Sequence, residues 1–133
     1  MDVRSIRTTP PTVEHQGTTT VWWLFKPREL YDDTVGGHLE LIDEFEVDGG
    51  GAVHPHRHPT YEFYYVTSGY GRMTIANETR EIGPGDLVLI PPDVMHSIEP
   101  VSQNAGIHCF CFAFGVKGSL PYDYSYDRHS EVL

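Results

Sequence analysis

The sequence predicts an all-β chain folded as an antiparallel β-barrel or jelly roll. Three observations lead there. Short runs rich in β-branched and aromatic residues recur along the chain. Gly, Pro, Asn and Asp cluster between them, so turn signals return roughly every 8 to 12 residues. No window carries apolar residues at helical spacing over a useful length.

Taken in order, residues 1–19 read as an irregular lead-in, with Thr8 to Gly17 its least regular part. The first expected strand is Thr20 to Phe25, where Trp22 and Trp23 leave opposite faces, so at most one can line an interior. His38 to Val47 follows as a long strand, closed by Gly49-Gly50-Gly51. Tyr61 to Thr67 ends at Ser68-Gly69, and Arg72 to Ala76 comes next. Asp86 to Ile90 is framed by Gly83-Pro84-Gly85 before it and Pro91-Pro92-Asp93 after it. The last expected strand is Ile107 to Gly115. One of its faces is large (His108, Phe110, Phe112, Phe114) and the other small (Cys109, Cys111, Ala113), and the aromatic face is expected to be core. Residues 118–133 form a Tyr-rich tail, in which Tyr122, Tyr124 and Tyr126 alternate with other residues. It would either close over a barrel mouth or pack outside.

A chain of 133 residues is expected to be one domain, burying roughly two-thirds of the surface its unfolded form exposes. The formal net charge of −10 argues against nucleic acid and anionic membrane as partners, both of which reward Lys and Arg clusters. No run approaches the roughly 18 apolar residues of a spanning helix. The start, Met1 to Ile6, has no apolar signal core, so the expected location is the cytoplasm. Cys109 and Cys111 sit two apart on one strand face, poorly placed for a disulfide, and read as small buried hydrophobes.

The chemistry concentrates in Gly50 to Glu62. His54, His56, His58 and Glu62 lie within a few residues, and His96 follows the Pro-Pro turn. Neutral imidazole and carboxylate are the donors that borderline divalent metals accept. His56, His58 and Glu62 share even parity, so extended backbone would present them on one face, to be met by His96 from another strand. His54 has the same parity, so a His54/His56 pair is an alternative chelate. Tyr64, two past Glu62, faces inward too, whereas Tyr61, Phe63 and Tyr65 face the other side. A phenol beside a metal would serve as general base or as donor to substrate.

The run Gly50-x5-His56-x-His58-x3-Glu62-x6-Gly69, followed by Gly85-x5-Pro91-x4-His96, closely resembles the two motifs of the cupin superfamily. Asp93 stands where the second motif usually has Gly, and Pro100 where it often has Asn. The resemblance implies a double-stranded β-helix whose motifs give three His and one Glu to one divalent metal per chain. Carried over position by position, the ligands are His56, His58, Glu62 and His96, with His54 left beside the mouth. The implied metal is Fe(II), with Zn, Mn, Ni or Cu as alternatives. Four ligands on a metal that prefers six leave two positions for water and substrate.

The superfamily hosts many reactions on one fold. The expected function is a metal-dependent enzyme acting on a small chelated substrate, placed first as a dioxygenase. A lyase, cyclase or isomerase using Tyr64 as base comes second. His-x-His-x3-Glu-x-Tyr with a later His is similar, more weakly, to cupin-type dimethylsulfoniopropionate lyases. A metal- or ligand-binding module without turnover comes third. The resemblance also implies a homodimer, paired through edge strands such as Thr20 to Phe25.

Overall fold

The structure, a computed structural model, describes residues 1–14, 16–21, 23–26 and 37–116. Among these there are strands and turns but no helix, and no helix long and apolar enough to cross a membrane. Strands β1 (Asp2–Ser5), β2 (Thr12–Glu14), β3 (Thr19–Val21) and β4 (His38–Val47) are followed by β5 (Val53–His56) and β6 (Thr60–Ser68). Then come β7 (Gly71–Ile75), β8 (Glu78–Ile82), β9 (Asp86–Ile90), β10 (His96–Pro100) and β11 (Ile107–Gly115). One sheet has the order β1-β9-β6-β11-β4 and a second β5-β10-β7-β8, while β2 and β3 form a ribbon; all pairings are antiparallel. This is a jelly roll.

The inner faces of the two larger sheets meet in one core. Val66, Val88, Ile90 and Cys109 come from the five-stranded sheet, and Met73, Ile82 and Ile98 from the four-stranded sheet. Each is essentially inaccessible, and full burial of a Val, Ile or Met side chain contributes about 1.5–3 kcal/mol. The period of two explains the selection. On β6, Glu62, Tyr64 and Val66 turn inward, while Tyr61 and Tyr65 are only half-buried on the other side.

Beyond the lead-in, three strands were not expected, each for a physical reason. β5 contains Pro55, which cannot donate to a ladder; it is tolerated because β5 is an edge strand. β8 reads Glu-Thr-Arg-Glu-Ile and buries only Ile82, so it has no apolar alternation to detect. β10 is short and ends on Pro100. The lead-in is also more regular than expected. β1 pairs with β9 from Asp2↔Leu89 to Ser5↔Asp86, and β2 with β3. The strand expected over Thr20 to Phe25 is shorter, Thr19–Val21; Trp22 lies outside the described residues, and Trp23 is exposed. The tail 118–133, with Tyr122, Tyr124 and Tyr126, also lies outside them.

The faces of β11 are the reverse of the expectation. Ile107, Cys109, Cys111, Ala113 and Gly115 are buried, while His108, Phe110, Phe112 and Phe114 are half-buried on the outer side. The Tyr64 and Phe45 rings, from the flanking strands β6 and β4, meet edge-on at 4.8 Å on the inner side of β11, so that face accepts only small residues. The phenylalanines build an outer layer instead. Phe112 stacks on Phe63 at 4.7 Å and 7°, Phe25 meets Phe63 edge-on at 5.4 Å, and the Arg4 guanidinium lies 3.7 Å above Phe25. Both cysteines are buried and free.

Candidate metal centre

The site is assembled across the gap between the two sheets. His56 ends β5 and His96 begins β10, and the two are direct partners in the antiparallel ladder, with ring centroids 4.4 Å apart. His58 lies in the two-sheet crossing between β5 and β6, where its backbone carbonyl accepts the Asp93 N–H at 2.8 Å. Glu62 and Tyr64 come from the inner face of β6. Asp93 adopts φ 60°, the left-handed region that Gly favours and that Asp tolerates better than most residues. The departure from the usual glycine thus keeps the turn.

One ligand atom from each of His56, His58 and His96 lies within 4.8 Å of the others, so these three could hold a metal ion. Their outer nitrogens are already committed. His56 Nδ1 is 2.8 Å from the His54 carbonyl and His96 Nδ1 is 2.9 Å from the Val94 carbonyl. A carbonyl only accepts, so both Nδ1 atoms donate and the Nε2 of each ring is the nitrogen left to face inward. His58 Nδ1 is held by the Thr60 hydroxyl at 2.8 Å. Anchoring one ring nitrogen so that the other is free to ligate is how metal-binding imidazoles are oriented. The buried Nε2 of His96 has no hydrogen-bond partner, a state that costs about 1–3 kcal/mol unless something fills it. The donor set and that unsatisfied nitrogen fit a divalent ion.

Glu62 Oε1 stands 3.3 Å from His58 Nε2 and 3.6 Å from His96 Nε2. Burial pushes its carboxyl up, but the His58 and His96 imidazoles beside it outweigh this and bring it down to about 2. A divalent ion held by the three imidazoles would place positive charge beside the same carboxylate.

Tyr64 is buried inside the barrel, its ring 6.4 Å from that of His96. Burial, then the Glu62 charge, push its phenol well above the ordinary value, with hydrogen bonding to Glu62 acting the same way. This direction is the opposite of the lowered pKa a base needs. Burial and the same carboxylate push Cys111 up, and burial alone raises Cys109 to about 12. Neither thiol is poised for nucleophilic chemistry.

His54 has the sequence parity of His56 but not its direction. Between His96↔His56 and Ile98↔Val53 the register slips by one residue, so Val53 and His56 both reach the core side while His54 stays exposed. Its ring lines a groove with Arg72, Thr74, Thr79 and Glu99, and its contribution to the centre is the carbonyl that holds His56. Sequence reasoning missed Thr60 and the carbonyls of His54 and Val94. Only the recurrence of each two residues from a histidine hinted at them. It also missed Asp43, whose signal was an acid in the apolar phase of β4.

Residues 50–118 match the family described as AraC-like ligand binding domain. An uncharacterized protein of Methanocaldococcus jannaschii is 33% identical over 86 residues, 64% of this chain and 68% of that protein. Among solved structures, a predicted oxalate decarboxylase from Thermotoga maritima superposes with a TM-score of 0.55 at 21% identity, over 87% of this chain and 100% of that one. A cupin protein from Bacteroides fragilis superposes at 0.52 with 26% identity, over 62% and 70% of the two chains. The jelly roll, the converging imidazoles and these matches lead to one assignment: the chain belongs to the AraC-like ligand binding domain family, within the cupin superfamily.

Proposed function

We propose that this protein is a metal-dependent enzyme in which His56, His58, Glu62 and His96 hold one divalent transition metal that takes up a small chelating substrate. The observation that carries the reading is the commitment of the His56 and His96 Nδ1 protons to backbone carbonyls, which leaves the Nε2 atoms as inward ligands. Fe(II) is the favoured ion, since three imidazoles and a carboxylate suit it. When bound, it supplies the redox and Lewis-acid chemistry that the side chains lack. The residues do the rest. His56, His58 and His96 fix the site between the sheets, Glu62 offsets the ion's charge, and the buried wall of Cys111, Ala113 and Val88 limits water.

Dioxygenase chemistry is placed ahead of elimination or isomerisation because three imidazoles and a carboxylate suit Fe(II), and an oxygenase acting on an enol or phenol requires no base from the protein.

The test is metal analysis of protein purified without added metal, followed by oxygen-electrode screens of the iron-loaded form with small enols, phenols and diketones. Oxygen uptake tied to substrate loss, persisting in Tyr64→Phe with unchanged metal content, is the expected result. Metal without oxygen use, and substrate conversion abolished in Tyr64→Phe, would favour the lyase or isomerase reading. The family description as ligand binding supports a second reading, a barrel that holds metal and ligand without turnover. Stoichiometric metal with ligand binding and no conversion would identify it.

A further inference from the structure

Along β4, Leu41, Asp43, Phe45 and Val47 share one face. Leu41, Phe45 and Val47 pack with the core, and the remaining member is an acid. Asp43 pairs with Cys111, and Cys111 pairs on its other side with Tyr64, both of them buried in that core. Direct cross-strand partners share a face, so the Asp43 carboxylate is directed into the barrel, toward the wall that carries Tyr64 and Glu62. Two strand spacings, roughly 10 Å, separate the backbones of Asp43 and Tyr64. The electrostatics agree with this placement. Burial and then the Glu62 charge raise the Asp43 carboxyl, and both acids act on Cys111.

Asp43 is nevertheless exposed, so the space on the inner side of β4 is open beside it. Among the described residues it makes no hydrogen bond and no ion pair, and Arg57, Arg72 and Arg80 are all exposed elsewhere. Two carboxylates share one interior. Glu62 has its countercharge in the metal centre; Asp43 has none among the described residues. A carboxylate in that position favours a ligand that brings a cation or strong donor.

We infer that Asp43 is a specificity-determining residue, binding the ammonium end of a small aminocarboxylate whose carboxylate end meets the metal centre. This rests on the metal reading above and adds the class of ligand. Discrimination then comes from matching a donor to a carboxylate that has no partner among the described residues, at a fixed distance from the ion.

The experiment uses the full chain loaded with Co(II), whose visible absorption reports ligands entering the centre. Wild type, Asp43→Asn and Asp43→Ala are titrated with two length-matched pairs, 4-aminobutyrate against butyrate and 3-aminopropionate against propionate. Wild type is expected to bind at least one aminocarboxylate roughly fivefold tighter than its partner, a modest ratio because Asp43 is screened by solvent. Both variants should lose that preference while binding the plain carboxylate as before. Absence of a preference in wild type, or its survival in Asp43→Asn, overturns the inference. Loss of the Co(II) spectrum in the variants alone overturns it too, since Asp43 would then belong to the metal's support. Failure of wild type to show a Co(II) spectrum overturns the metal reading and this inference together, whereas a normal spectrum without preference overturns this one only.

Discussion

His96 and His54 show how much a few tenths of a nanometre decide. Both are histidines on the adjoining strands β5 and β10, yet one presents a buried Nε2 to the centre and the other lends it a carbonyl. His96→Ala is expected to reduce metal content to well under one per chain, and His54→Ala to leave it unchanged, as read by elemental analysis of dialysed protein. The same centre gives Glu62 a pH signature in the metal-free protein. Its carboxyl falls from 4.5 unfolded to about 2 folded. A lowered folded value means stability that is present above 4.5 and lost as pH falls through about 2. The urea midpoint of wild type should therefore exceed that of Glu62→Gln at pH 5, and the difference should shrink as pH is lowered toward 2.

At the scale of elements, two turns hold the strands that carry the ligands. Gly69, between β6 and β7, has φ +81°, and a Cβ there would sit 2.1 Å from the Gly106 carbonyl oxygen. Neither the dihedral nor the contact can be relieved without moving β11. Gly69→Ala is expected to destabilise by about 2–4 kcal/mol in chemical denaturation. Asp93 is the converse, a side chain in a conformation that glycine adopts freely, at an exposed position before β10. Asp93→Gly should stabilise by roughly 0.5–1 kcal/mol, or leave stability unchanged where added freedom of the unfolded chain cancels the relief. β5 belongs to this scale as well. Its edge position accommodates Pro55, and its one-residue slip against β10 turns His56 inward. A strict count of two along the sequence cannot foresee a slip, so the face of His54 was not legible from parity.

Across the whole molecule, the candidate ligands belong to both sheets: His56 and His96 to the four-stranded sheet, Glu62 to the five-stranded sheet, and His58 to the connection between them. An ion bound by all four would tie the sheets together. Metal that binds the folded chain but not the unfolded one stabilises it by about 2.7 kcal/mol at a hundredfold excess over Kd. Thermal denaturation should accordingly shift upward by several degrees with added Fe(II) or Co(II) under anaerobic conditions. The shift should vanish in His96→Ala and persist in His54→Ala.

Much of this was written in the order of residues. Alternating apolar positions and recurring Gly and Pro determined an antiparallel β-fold, because a period of two and frequent turns admit little else. The spacing of His56, His58, Glu62 and His96 marked the candidate donor set, of which the structure brings ligand atoms of the three imidazoles within 4.8 Å of one another. What only the tertiary structure decided depends on contacts between distant strands. The small face of β11 is inside because Tyr64 and Phe45, from the flanking strands, meet on its inner side. The Tyr64 phenol is pushed upward because burial and Glu62 act on it together. Asp43 meets the same interior because β4 pairs with β11 and β11 with β6. Such effects arise from burial and from fields summed over neighbours far apart in the chain, and no local spacing encodes them.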